Sequence, residues 1–536
     1  MDGRTARVEQ FDAVVVGTGF GGMYMLYRAR QNGLKVVAFE AGDDLGGTWY
    51  WNRYPGARCD VESIEYQYGF SEDIVQGWNW SERYAGQPEI LRYADYVAKK
   101  LDLRKDIRFK TRITAATYDE ATARWTVETE HGDRVSAQFC IMAVGCLSAS
   151  RIPDIPGLAD FKGKHYHTGA WPHGGVNFTG QRIAVIGTGS SGVQSIPVIA
   201  QQAEELFVFQ RTPNFSLPAL NAPMPQDYIQ HWKDRFMEER TKARATNSGS
   251  FMAANPKSAL DVDAEERQRT FEERWGKGGF AFVTSYNDVL NRMEANTLAA
   301  EFVRDKIRKT VKDPKVADLL APTNHPIGTK RLCLDTQYYE TYNQPHVTLV
   351  DISNRPIERI TPDGLLVGGQ EYKVDGIVFA TGFDAMTGAF LRIDIRGKGG
   401  LSLKEKWEAG PRTYLGLGIS GFPNLFTITG PGSPSVLVNV IIAVEQHSDW
   451  IMDCIQHMRA KGLATIEAQT DAEDRWVEHV NEKADETLYP MANSWYVGAN
   501  IPGKPRVFMP YVGGFANYDN ICKQVVADGY RGFSFA

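Results

Sequence analysis

The chain has 536 residues, 43% hydrophobic and 23% charged, which is the make-up of a soluble globular protein with room for two or three domains. A net charge of −6 and the lack of any Lys/Arg block exclude a nucleic-acid-binding surface as its main business. Cys59, Cys140, Cys146, Cys333, Cys454 and Cys522 form no CxxC pair and no Cys/His cluster at ligand spacing, so neither a disulfide framework nor a metal site is expected.

The chain opens on a polar stretch, MDGRTARVEQFD, without the apolar core of a signal peptide. The apolar run at 13–27 is cut by glycines at 17, 19, 21 and 22, too short and too broken to cross a membrane. The expectation is a cytoplasmic protein that associates with neither membrane nor nucleic acid.

That same run carries the first motif. DAVVVG at 12–17 predicts a buried strand, Gly17-Thr18-Gly19-Phe20-Gly21-Gly22 a tight turn into a helix reaching Arg30, and KVVAF at 35–39 a second strand ending at Glu40. Gly17 makes the turn, Gly19 admits a pyrophosphate to the backbone, and Gly22 lets helix and strand pack closely. Glu40 stands 18 residues after Gly22, where an acid binds ribose hydroxyls. The following segment, GGTWYWNRYPGARCD at 46–60, sets aromatics where they could shield a flavin ring from water.

The pattern returns at RIAVIG, 182–187, with Gly187-Thr188-Gly189-Ser190-Ser191-Gly192, a helix and the strand LFVF. Here the strand ends on Gln210-Arg211, with Arg211 19 residues after Gly192. An acid there would repel a 2′-phosphate, whereas a guanidinium forks onto it. The first unit therefore calls for FAD and the second for NADP. Two apolar strands ending in glycine, IMAVG at 141–145 and GIVFATGFD at 376–384, read as the crossovers between nucleotide domains. The predicted fold class is α/β, with two dinucleotide-binding (Rossmann-like) domains and a charged helical insertion at 218–326. The FAD domain takes 1–146 and 384–536, and the NADP domain takes 147–383. Residues 493–504, NSWYVGANIPGK, read as a mobile loop able to close over a site.

Between the two glycine loops lies FKGKHYHTGAWP, 161–172. It matches the fingerprint FxGxxxHxxxW[P/D] through Phe161, Gly163, His167, Trp171 and Pro172. Together with the segment ending in Asp60, it makes the chain resemble the type I Baeyer–Villiger monooxygenases along nearly its whole length. GARCDVESIEY, QPEILRY, VFQRTPNF and EKWEAGPRTYLGL make it most similar to their phenylacetone and steroid monooxygenase branch.

The resemblance implies an FAD-dependent NADPH monooxygenase that turns ketones (aryl, bulky or cyclic) into esters or lactones through a C4a-peroxyflavin, with sulfoxidation as a further activity. Dioxygen and the ketone are the small-molecule partners, and the chain is a monomer or weak homo-oligomer. In GTKR, 328–331, Arg331 would stabilise the developing negative charge, with Asp60 holding it. Phe20, Thr48, Trp49, Tyr50, Trp51, Tyr66 and Ile113 would join the first glycine loop around FAD. Arg58, Thr188, Ser190, Ser191, Thr212, Lys330 and Trp495 would join Arg211 around NADP. Ser435, Val436, Leu437 and Val440 would shape the substrate pocket, and His167 would orient the interdomain linker.

Three other readings use the same two loops. A flavin N- or S-oxygenating enzyme usually lacks the Trp-Pro ending of the fingerprint. A disulfide reductase needs a cysteine pair that is missing here. A non-catalytic redox sensor would show no ketone-dependent NADPH consumption.

Overall fold

The structure, a computed structural model, describes residues 8–252 and 254–536; most of the polar start, residues 1–7, lies outside the described residues. The run AVVV lies in the strand Glu9–Val16, in the middle of an eight-stranded sheet. It pairs in parallel with Val36–Phe39 on one side, Ala13 facing Val36, and with Arg134–Met142 on the other, Val14 facing Cys140. Residues 13–16 are all buried because helices or further strands cover both faces, which is why they read as a continuous apolar run and not an alternating one. The sheet continues through Arg124–Thr129, Ile113–Asp119 and Asp394–Arg396 to one edge and through Ile107–Arg108 to the other, and Leu425–Thr427 also pairs with Arg134–Met142.

A second sheet of five parallel strands runs Val347–Asp351, Glu205–Gln210, Arg182–Ile186, Gly376–Phe379, Lys164–His167. All its strands lie within 164–379, whereas the first sheet takes strands from both sides of that span. Four helices, Gln226–Arg244, Ala264–Lys277, Met293–Thr310 and Pro314–Leu320, fill much of the intervening chain.

Each sheet launches a helix from a glycine turn of the same build. Gly17 sits at φ +96° and Gly187 at φ +109°, a region open to glycine at no steric cost. A Cβ on Gly22 would stand 1.9 Å from the Gly17 carbonyl oxygen, and one on Gly192 would stand 2.2 Å from that of Gly187. The helices Phe20–Gln31 and Ser190–Ala200 start with no side-chain cap, so their first N–H groups stay available to a ligand. The two segments that pass between the sheets run side by side: Asp384 N donates to Ala149 O (2.8 Å) and Met386 N to Cys146 O (2.8 Å). No helix among the described residues is long and apolar enough to cross a membrane, and no cluster of three His, Cys, Asp or Glu among them could hold a metal ion.

Candidate active site

A cavity of about 1180 Å³ runs from one glycine loop to the other. On the first side it is lined by Gly17, Gly19, Phe20, Glu40, Thr48, Trp49, Trp51, Asp60, Tyr66 and Ile113. Trp49 Nε1 donates to the Tyr66 hydroxyl (3.0 Å), and Phe20 meets the Tyr66 ring edge-on at 5.7 Å. Glu40 Oε2 accepts from Thr18 N and Oγ1, and its Oε1 accepts from Gly42 N, all at 2.9 Å. One lone pair of Oε1 remains for a ribose hydroxyl.

The second side brings Gly187, Thr188, Gly189, Ser190, Ser191, Arg211, Thr212 and Lys330 to the same cavity. A Cβ on Gly189 would meet nothing within 4 Å, so the bare loop faces open space. Thr188 Oγ1 donates to Thr212 O (3.1 Å), joining the loop to the end of its neighbouring strand. Among the described residues neither Arg211 nor Lys330 forms an ion pair. Burial, and then the charge of Arg211, lower the Lys330 pKa. Two interacting cations lining one cavity, neither of them ion-paired, form a site for an anion. The bare glycine turns, the uncapped helix ends and this pair suit two dinucleotides, one with a 2′-phosphate.

Arg331 stands where the two sides meet. Its Nε and Nη2 fork onto Asp60 Oδ2 and Oδ1 at 2.8 and 2.7 Å, and Nη1 donates to Val436 O at 2.8 Å. The guanidinium carbon lies 5.1 Å from the centre of the Phe280 ring, and Asn214 Nδ2 holds the Arg331 carbonyl at 3.0 Å. Burial alone would favour loss of its proton; Asp60 and Tyr496 outweigh it and raise the pKa, so the positive charge is permanent. A fixed cation at a cavity lined by two nucleotide-type glycine loops can stabilise charge developing on a substrate oxygen.

A model of the flavin-binding monooxygenase-like family matches residues 11–229. The chain is 42% identical to 2-oxo-Δ3-4,5,5-trimethylcyclopentenylacetyl-CoA monooxygenase of Pseudomonas putida, over 99% of each chain. It is 42% identical to the methyl acetate-forming acetone monooxygenase of a Gordonia species, over 98% of this chain and 99% of that one. Oxidised steroid monooxygenase bound to NADP superposes with a TM-score of 0.94 at 52% identity, covering 98% of this chain and 99% of that one. The chain belongs to the Baeyer–Villiger monooxygenases.

The family fingerprint lies beside the cavity, not on it. Of 161–172 only Gly169 and Ala170 touch the cavity. Trp171 is buried against Tyr166 and Phe178, Pro172 is exposed, and a Cβ on Gly163 would stand 2.4 Å from Asp375 O and 2.6 Å from the Phe161 ring. His167 Nδ1 accepts from Gly169 N (2.9 Å), and its Nε2 lies 3.4 Å from Thr381 Oγ1, on one of the segments between the sheets. Burial lowers the His167 pKa, so the ring is neutral.

Three residues anticipated as ligand contacts lie off the cavity wall, and a fourth borders it with its guanidinium engaged. The Tyr50 ring turns from the cavity, its hydroxyl donating to Asp43 Oδ1 (2.7 Å), because adjacent residues of the one-turn helix Thr48–Trp51 point to different sides. Ser435, at φ +47°, turns its hydroxyl inward to within 3.1 Å of Cys146 Sγ. Leu437 packs with Tyr496 and Phe508, leaving Val436 and Val440 on the cavity wall. Arg58 borders the cavity, but its guanidinium is taken by Glu82 and the Tyr84 carbonyl.

Residues 493–504 cover the cavity. Trp495, Asn500, Ile501 and Pro502 line it, Lys504 Nζ reaches Asp384 Oδ1 (2.6 Å) and Ala385 O (2.7 Å), and Asn500 Nδ2 reaches Phe383 O (2.7 Å). Tyr496, the buried neighbour of Trp495, acts electrostatically on Arg331, and sequence reasoning passed over it. Its only signal was its place next to a tryptophan in a glycine-rich loop.

Proposed function

We propose that this chain oxidises a bulky, aryl or cyclic ketone to an ester or lactone, consuming NADPH and dioxygen and releasing NADP+ and water. FAD, held by the first glycine loop, supplies the redox chemistry and dioxygen activation. Glu40 holds its ribose, and Thr48, Trp49, Trp51, Tyr66 and Ile113 surround it. Arg211, Lys330 and Thr212 select NADPH through its 2′-phosphate. Arg331 neutralises the charge that develops on the ketone oxygen, and Asp60 fixes its direction. Val436 and Val440 give the ketone an apolar wall, and Trp495 with its loop keeps water out. The division into a split FAD domain, 1–146 and 384–536, and an NADP domain at 147–383 with its helical insertion at 218–326, is supported by the strand membership of the two sheets. The protein acts in the cytoplasm as a monomer or weak homo-oligomer.

The observation that carries this reading is the forked Arg331–Asp60 pair set in a cavity shared by both glycine loops. The test is a panel of aryl, long-chain, cyclic and steroid ketones, incubated with FAD-loaded protein and NADPH under labelled dioxygen. Mass spectrometry should find one labelled oxygen in an ester. NADPH consumption that no ketone stimulates, with no ester formed, would remove the reading.

A further inference from the structure

The site is built from two halves of the chain, and a single amide side chain lies where they meet. Gln194 belongs to the helix Ser190–Ala200, one turn after the second glycine loop. Its Oε1 accepts from the Tyr54 hydroxyl (2.7 Å) and from Arg58 N (3.3 Å), and its Nε2 donates to Arg58 O (3.0 Å). Three hydrogen bonds therefore run from the NADP-side helix to the segment that ends, two residues later, at Asp60. The segment lies flat on that helix: Gly56 is at φ +80°, and a Cβ there would stand 2.2 Å from the Gln194 carbonyl oxygen. On its other side Ala57 O accepts from Gln87 N (2.8 Å) and Cys59 N donates to Ala85 O (3.1 Å).

Asp60 comes from the FAD side and Arg331 from the NADP side, so the fork between them is correct only if the halves are in register. A forked arginine–carboxylate pair tolerates little displacement, since both N–H···O bonds must stay linear. We propose that Gln194 is a positioning residue for the reaction: its amide sets the register of the Asp60 segment on the NADP-binding helix and so keeps Arg331 aimed. This rests on the proposed ketone oxidation. The position needs an amide because it must accept from two donors and donate to one carbonyl. A glutamate can only accept, and it would set an anion against the Arg58 carbonyl.

The test uses FAD-loaded Gln194→Met, Gln194→Glu and Tyr54→Phe with a ketone that the wild type converts. Four readouts are taken: KM for NADPH, NADPH consumed, ester formed and hydrogen peroxide released. When Arg331 is misaimed, the two electrons of NADPH reduce dioxygen to hydrogen peroxide instead of serving ester formation. For Gln194→Met, ester per NADPH should fall by about tenfold with peroxide rising to match, while KM for NADPH stays within about twofold. Gln194→Glu should recover part of the yield, and Tyr54→Phe should show a smaller loss in the same direction. A raised KM for NADPH with ester yield intact would mark Gln194 as a nucleotide contact and overturn the proposal. Unchanged coupling in Gln194→Met would also overturn it. If Gln194→Met fails to hold FAD, Tyr54→Phe decides, and normal coupling there overturns the proposal. A wild type that forms no ester from any ketone brings down the functional reading itself, a result seen before any variant is made.

Discussion

Of the five N–H donors of Arg331, three are spent on Asp60 and the Val436 carbonyl, and Tyr496 engages the guanidinium as well, so a terminal N–H is left for a reacting oxygen. A lysine offers a point charge without the fork, so it cannot hold Asp60 on one edge and serve an oxyanion with the other. Arg331→Lys and Arg331→Ala should each lower ester formation by roughly a hundredfold or more while NADPH still reduces the flavin under anaerobic conditions. Ester yield near wild type in either variant would contradict that role. Lys330 makes a different demand. Burial and Arg211 lower its pKa, so rising pH discharges it sooner than an ordinary lysine. Affinity of the FAD-loaded enzyme for NADPH should therefore decline on the alkaline side, while binding of NADH, which has no 2′-phosphate, stays level. Lys330→Arg, charged at every accessible pH, should abolish the decline. Titrating both nucleotides across roughly pH 7 to 10 checks it, and parallel curves would refute it.

The loop at 493–504 shows what an element's composition reveals and what it hides. Glycine, proline and asparagine marked it as irregular, but nothing local said that Lys504 would reach Asp384, 120 residues away, on the segment between the sheets. The glycine turns were legible because strand, turn, helix and acid follow one another in the chain. The Asp60–Arg331 fork spans 271 residues, and only a family motif joined the two. Tyr50, Ser435 and Leu437 lie off the cavity wall because in a one-turn helix or a bend a neighbour's direction does not carry over. Lys504 is 10% exposed at its side chain and Asp384 29%, so the pair is partly dry. Its loss should cost on the order of 2 kcal/mol of loop closure. Lys504→Met should then raise protease sensitivity at 493–504 and divert part of the NADPH consumption to hydrogen peroxide, with Lys504→Arg milder. An equally protected loop in Lys504→Met would show that Asn500 and the packing of Trp495 suffice.

At the scale of the whole molecule, a buried polar network stitches the helical stretch to the FAD side. Arg240 on Gln226–Arg244 is paired with Glu445 on Val440–Lys461 (3.2 Å); Arg244 reaches the same carboxylate at 3.0 Å, and Gly69 N donates to it at 2.6 Å. Glu65, next to the cavity residue Tyr66, accepts from Phe251 N (3.0 Å), and its carbonyl takes Asn439 Nδ2 (2.9 Å) and Arg240 Nη1 (3.2 Å). Burial pushes the Glu65 carboxyl up to about 7; the hydrogen bonds from Ser250 and the Phe251 N–H, and then Arg240, oppose the shift without cancelling it, and Glu62 adds to it. Between the ordinary glutamate value and about 7 the folded protein keeps a proton that the unfolded chain has released. Stability contributed by this group is therefore full in mild acid, falls as pH rises through that window, and is level above it. The total change is on the order of 3 kcal/mol. Glu65→Gln keeps an oxygen for the Phe251 N–H and has no proton to lose, so it should flatten the decline and leave the variant more stable than the wild type near pH 8. Urea denaturation of the FAD-loaded protein at several pH values reads this directly. A Glu65→Gln curve that declines as steeply as the wild type would mean that the carboxyl is ionised in the folded state, with Arg240 close enough to hold it so.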